Sequence, residues 1–112
     1  MECHFHIEIL APEGLVGLEK PLAASVLGLE IYHSHFNNKN ILRGSNDAIE
    51  LDMQTSTTDV MHASGVVFRD FATAVSLMRE LSGIFRMAGY RHKIGVDNEA
   101  GDECVWLSHD YP

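Results

Sequence analysis

Histidine side chains occur in two closely spaced pairs, and these pairs are the residues of the chain best suited to chemistry. The first pair is His4 and His6, and the second is His33 and His35. Alternate residues of a β-strand face the same side, so each pair would present two imidazoles about 6–7 Å apart at the backbone. Two rings at that spacing can converge on a single metal ion.

Glu8 extends the first pair, because it follows His6 at the same spacing. The first strand then offers two nitrogens and one carboxylate on one face, and both zinc and non-haem iron accept that ligand set. If the strand that carries the second pair turns it toward the same side, a site with four histidines results. The sequence therefore predicts a zinc or iron site formed by His4, His6, Glu8, His33 and His35.

Two acidic residues of a further predicted strand, Glu50 and Asp52, are candidates for a general base beside that site. Nucleophilic catalysis has less support. Ser34 lies between two histidines and Cys3 precedes another, but adjacent strand residues face opposite sides and do not readily hydrogen-bond. The sequence also lacks the glycine-rich phosphate-binding motifs and the nucleophile-elbow motif. Whether the protein is an enzyme therefore stays open.

The same histidines also fit a simpler interpretation, as solvated or hydrogen-bonded residues of a polar strand face. The chain has 8 basic and 16 acidic residues, which gives a formal net charge of −8. An acidic surface can dock on a basic partner or keep a protein soluble. Because no catalytic motif is present, the sequence favours a non-catalytic interaction or regulatory module. A small metal-binding protein or metal-dependent enzyme is the alternative.

Charge and hydropathy argue against nucleic acid and membranes as partners. The chain has no basic stripe of the kind that neutralises phosphates, and no run approaches the 18 apolar residues needed to cross a bilayer. The first residues lack the basic and apolar segments of a signal peptide. The only cysteines, Cys3 and Cys104, form no close pair of zinc ligands and no disulfide framework. We therefore expect two buried, reduced thiols and a cytoplasmic location.

Alternation of apolar and polar residues predicts most of the secondary structure. In the first segment Cys3, Phe5, Ile7 and Ile9 would form an apolar face. Near the carboxyl end a hairpin is expected, in which Val96 faces Cys104. The predicted strands are 3–10, 29–36, 49–54 and 60–68, the predicted hairpin strands are 90–96 and 103–109, and a short helix is predicted over 21–27.

The strongest helical pattern runs from Asp70 to Ala88. Apolar residues recur there at spacings of three and four, which places them along one side of a helix. Asp70 fits the N-cap position, and Gly89 fits the left-handed position that follows a helix. The apolar stripe is expected to pack on the sheet and consists of Phe71, Val75, Met78, Leu81, Phe85 and Ala88.

These elements predict a single α+β domain over residues 1–112, with one mostly antiparallel sheet of five to six strands packed on one main helix. A ferredoxin-like topology is the first choice, and a strand meander packed against a helix is the second. Sheets of that type often pair face to face, so we expect a homodimer, and a different protein partner is a further option. The segment from His4 to Leu10 resembles the opening strand of the small ferredoxin-like aromatic ring-cleaving dioxygenases. The resemblance covers this segment alone, and no residue role follows from it.

Overall fold

Seven β-strands and one α-helix are present in the part of the chain that the computed structural model describes, which comprises residues 1–10, 30–34, 39–45, 49–55 and 60–111. All strands join one antiparallel sheet, and the helix follows the fifth strand, so the fold is α+β as predicted. The elements are β1 (Cys3–Leu10), β2 (Glu30–Ser34), β3 (Lys39–Ser45), β4 (Ile49–Thr55), β5 (Val60–Val67), α1 (Phe71–Met87), β6 (Arg91–Asp97) and β7 (Cys104–His109).

The strand order is β2-β3-β4-β5-β1-β6-β7, so β1 lies between β5 and β6. β1 is antiparallel to both neighbours, and α1 connects them. β3 is not among the predicted strands, because Asn37, Asn38 and Asn40 are typical of a loop. The helix predicted over 21–27 lies outside the described residues. Among the described residues, no helix has the length and apolar character required to span a membrane.

The alternating sequence of β1 separates the two faces of the sheet. Phe5 and Ile7 are buried on one side, which we call the core face. His4, His6 and Glu8 alternate with them and belong to the opposite side, which we call the outer face. The predicted strand 3–10 is therefore confirmed, with its apolar residues inside and its candidate ligands outside.

Helix α1 packs on the core face through the stripe predicted from its spacing. Met78, Leu81 and Phe85 are fully buried there, and Ala74 joins them. Each large apolar side chain removed from water contributes about 1.5–3 kcal/mol to folding. Ala88 is the exception, since it is exposed and lies just beyond the last helical residue. The helix therefore leaves the outer face of the sheet uncovered by its own side chains.

The two ends of α1 are closed in different ways. Asp70 occupies the predicted N-cap position with an extended backbone, but its side chain makes no capping hydrogen bond. Glu99, from the loop between β6 and β7, instead accepts a hydrogen bond from the backbone N–H of Phe71 over 3.0 Å. At the other end Gly89 has φ +83°. Its N–H and that of Tyr90 bond back to carbonyls of the last turn, which is the Schellman arrangement.

The hairpin of β6 and β7 is present, but its predicted register is wrong by one residue. Val96 pairs with Val105 and not with Cys104, and Trp106 pairs with Gly95. The loop sets this register, because the side-chain oxygen of Asn98 accepts two backbone N–H groups near the start of β7. A one-residue slip moves every side chain of a strand to the other face. Trp106 and Cys104 therefore lie on the outer face.

Candidate metal centre

Three potential metal ligands meet on the outer face, two from β1 and one from β5. In the ladder between these strands, Glu8 pairs with His62 and His6 pairs with Ser64. Paired residues project to the same face, so His62 lies opposite Glu8 and diagonally from His6. Among the side chains that the structure describes, only His6, Glu8 and His62 form such a group, with donor atoms all within 4.8 Å of one another.

The carboxylate of Glu8 lies between the two imidazoles. Its Oε1 atom is 3.5 Å from Nε2 of His6 and 3.7 Å from Nδ1 of His62. The two rings are tilted by 41°, and their centroids are 5.6 Å apart. The side chain of His6 is 48% exposed and that of Glu8 is 24% exposed. An ion can therefore reach the donor atoms from solvent, while the Glu8 side chain is partly buried.

Tyr111 supports the carboxylate from the far side of the hairpin. Its hydroxyl donates a hydrogen bond to Glu8, and this bond is the main cause that lowers the pKa of Glu8. Burial, followed by the same hydrogen bond, raises the pKa of the Tyr111 hydroxyl, so this group stays a donor. Glu8 is therefore held as an anion, which is the form that binds a cation.

A turn after β7 brings Tyr111 to this place. Asp110 has φ +50°, a left-handed conformation that is uncommon outside glycine but tolerated by aspartate, and a neighbouring side chain supports it. Arg91 supplies that support, since its Nε donates to the Asp110 carbonyl over 2.7 Å and lies 3.4 Å from the Asp110 carboxylate. The end of β7 is thereby directed back across the outer face toward β1.

The structure brings together two of the three predicted ligands on β1. His6 and Glu8 belong to the group, whereas His4 is exposed, pairs with Val66 and lies outside it. His62 is the candidate ligand that the sequence analysis missed. The predicted strand 60–68 contains His62, and alternate residues of a strand share a face. The sequence pattern does not show which strand pairs with this segment.

His33, the described member of the second histidine pair, does not lie beside the first pair. His33 belongs to β2, which is separated from β1 by β3, β4 and β5. Four strand spacings of about 4.8 Å put the backbones of β1 and β2 about 19 Å apart. His35 lies outside the described residues. The proposed general bases Glu50 and Asp52 belong to β4, one strand beyond His62.

A buried histidine on the core face, His92, is hydrogen-bonded within the core. His92 is fully buried, its Nδ1 is 2.9 Å from the Tyr90 carbonyl and its Nε2 is 2.6 Å from Oγ of Ser82. A carbonyl only accepts, so Nδ1 carries the proton and Nε2 accepts from the Ser82 hydroxyl. Burial lowers the pKa of His92. This ring is therefore a neutral, fully bonded part of the core.

The two cysteines lie on opposite faces of the sheet and do not form a site. Cys3 is buried on the core face, as expected, and burial raises the pKa of its thiol. Cys104 is exposed on the outer face, which corrects the expectation of two buried thiols. The register of the hairpin is the cause, because it turns Cys104 away from the core. A raised pKa keeps a thiol protonated and a poor nucleophile.

Comparisons with family models, with curated protein sequences and with solved structures gave no match to this chain.

Proposed function

We propose that the protein binds a divalent transition metal, zinc or iron, through His6, Glu8 and His62 on the outer face of the sheet. The observation that carries the proposal is the convergence of two imidazoles on one carboxylate within 4.8 Å. Two histidines and one carboxylate are the protein ligands of many catalytic zinc sites and of the non-haem iron centres.

The distances in the group support this proposal. Zinc bonds of about 2.0–2.1 Å in a tetrahedron put neighbouring ligand atoms about 3.3–3.4 Å apart. The two contacts of the Glu8 carboxylate, at 3.5 and 3.7 Å, are already close to that spacing. A modest rotation of the imidazoles then completes the site, and Tyr111 holds the carboxylate while this happens.

Three protein ligands leave at least one coordination position for water or a small molecule. A centre of this kind supplies Lewis-acid chemistry with zinc, and oxygen chemistry with iron. We therefore propose a metal-dependent activity on a small molecule in preference to a structural metal, because structural zinc sites are closed by four protein ligands.

The first experiment compares zinc binding by wild-type protein, His62→Ala and His4→Ala after chelator treatment. We expect zinc at a hundredfold excess over its Kd to raise the melting temperature of the wild type by about ten degrees. His62→Ala should lose this response, and its zinc affinity should fall at least about a hundredfold. His4→Ala is the matched control, because it removes an exposed histidine of the same face that lies outside the group.

Two results would contradict the proposal. One is a melting temperature that no divalent metal changes by more than about two degrees. The other is a His62→Ala variant that binds zinc as tightly as the wild type, since the ligands would then lie elsewhere.

A second candidate function is a non-catalytic interaction module. Trp106 on the outer face favours it, because a side chain of this size is 57% exposed there. Exposed aromatic residues are enriched at protein interfaces. The occupant that we propose is a second copy of the chain, paired face to face as in ferredoxin-like sheets, and the β5-α1-β6 crossover around β1 supports that topology. Light scattering distinguishes a dimer from a monomer of 12.5 kDa.

We propose the cytoplasm as the location of the protein. The two thiols support this, because Cys3 and Cys104 are free and lie on opposite faces of the sheet, where they cannot pair within the chain.

A further inference from the structure

A flat aromatic surface adjoins the candidate metal centre on the outer face. Across the sheet, His6 pairs with Gly95 on β6, and Gly95 pairs with Trp106 on β7. A Cβ atom at Gly95 would lie 2.7 Å from Cζ3 and 2.9 Å from Cη2 of Trp106. The indole therefore lies across the glycine backbone and extends from β7 toward β1, into space that any other residue at position 95 would fill.

A cationic side chain accompanies this surface. Lys93 pairs with Glu8 across the β1–β6 ladder, and its Nζ lies 4.6 Å from the centroid of the Trp106 ring. With a divalent metal held by the Glu8 carboxylate and two neutral imidazoles, metal and ligands carry one positive charge and Lys93 adds a second. Asp97, on the same face of β6, cancels one of these charges, so the metal-loaded surface keeps a net positive charge while the chain as a whole carries −8. An anion is attracted here by Coulomb forces.

We infer that the outer face beside the metal centre binds a small planar organic anion, of the class of aromatic carboxylates. The carboxylate meets Lys93 and the metal, and the planar group lies against the exposed part of Trp106. This inference rests on the proposed metal centre for its second charge, whereas the contacts with Trp106 and Lys93 are independent of it. Aromatic contacts and a nearby ammonium together select for shape and for charge.

Benzoate is the probe, and cyclohexanecarboxylate is its matched control, since the two acids have the same charge and similar size but only benzoate is planar. Both are titrated by calorimetry into the zinc-loaded protein and into the chelator-treated protein. We expect benzoate to bind at least about threefold more tightly than cyclohexanecarboxylate. Quenching of the fluorescence of Trp106, the one tryptophan of the chain, should follow the same isotherm.

Variants separate the two contacts. Trp106→Leu should weaken benzoate binding about three- to tenfold and abolish the preference for benzoate over cyclohexanecarboxylate. Lys93→Gln should weaken both acids equally, by about two- to fivefold at low salt. Arg79→Gln, on the exposed side of α1, removes the same charge at a distance and should leave both affinities unchanged.

The outcomes distinguish this inference from the metal proposal. If zinc does not bind, the chelator-treated and zinc-treated samples will have the same affinity for benzoate. A loss of benzoate affinity in Trp106→Leu would still support the aromatic surface. Equal binding of the two acids, no detectable binding of either, or a Trp106→Leu variant with unchanged benzoate affinity would overturn the inference even when zinc binds.

Discussion

Glu8 lies between two imidazoles and a phenol, and these neighbours decide its charge. The Tyr111 hydroxyl is the main cause of its lowered pKa, and the histidines lower it further, while partial burial acts in the opposite direction. From the sequence, Glu8 and His6 can be identified as a pair because their spacing is local. Tyr111 cannot, since it reaches Glu8 only through the left-handed turn at Asp110.

Removal of the Tyr111 hydroxyl tests its role as a support for the metal ligand. We expect Tyr111→Phe to weaken zinc binding about 10- to 100-fold, the usual effect of losing a hydrogen bond to a ligating group. Competition with a chelating dye measures the affinity. Tyr90→Phe is the control, because Tyr90 packs against the core and the change of atoms is identical. Equal affinities of Tyr111→Phe and wild type would show that the phenol does not position Glu8.

The buried His92 gives a pH dependence of a definite sign. Burial lowers its pKa in the folded protein, and His109, with its ring centroid 6.0 Å away, acts in the same direction. The unfolded chain therefore takes up a proton first, at about pH 6.5. The free energy of unfolding should fall as the pH drops below that value and should continue to fall until the pH reaches the folded pKa.

Urea unfolding at pH 7.5 and at pH 5.5 measures this effect. His92→Gln should be less stable than wild type at pH 7.5 but should lose less stability between the two pH values. Ser82→Ala, which leaves the ring acceptor without its donor, should cost about 1–3 kcal/mol at pH 7.5. A wild type and a His92→Gln variant with the same loss of stability between the two pH values would contradict this assignment.

Individual strands and the helix were largely predictable, because each carries its own periodicity. β1 and α1 follow from apolar residues at spacings of two and of three to four, and both lie at the predicted positions. The register of the β6–β7 hairpin was not predictable in the same way. It depends on hydrogen bonds of the Asn98 side chain inside the loop. A shift of the register by one residue would exchange the two faces of the strand.

Substitution by alanine should change the stability of the protein in opposite directions at two glycines of different elements. A Cβ at Gly65 of β5 would collide with the backbone carbonyl of Glu50 and lie 2.6 Å from Cζ of Phe5. Gly83, inside α1, has nothing within 4 Å of the same position. We expect Gly65→Ala to destabilise the protein by about 1–3 kcal/mol or more, and Gly83→Ala to stabilise it by about 0.5–1 kcal/mol.

Thermal melts measure both variants, and each kcal/mol corresponds to about 4–8 °C for a domain of this size. Both substitutions add the same methyl group. The difference between the two melting temperatures therefore reports mainly the space available around each glycine. A Gly65→Ala variant as stable as the wild type would contradict the close approach of the Glu50 carbonyl of β4 to Gly65.

At the scale of the whole molecule, the order of the strands decides which histidines meet. β1 pairs with β5 and not with β2, and this brings His62 to His6 while it separates His33 from both. Such pairings join segments more than fifty residues apart, and no local pattern specifies them. The sequence could therefore predict the face of β1 that bears the candidate site and two of its potential ligands, but not the third.

The most direct test is an anomalous-diffraction map of the zinc-loaded crystal, recorded above and below the zinc absorption edge. We expect one strong peak on the outer face of the sheet, about 2.0–2.2 Å from Nε2 of His6, a carboxylate oxygen of Glu8 and Nδ1 of His62. At least one further position should be taken by water or a small ligand. A zinc peak held by His4, His33 or His35, or by none of the three ligands proposed here, would contradict the metal centre.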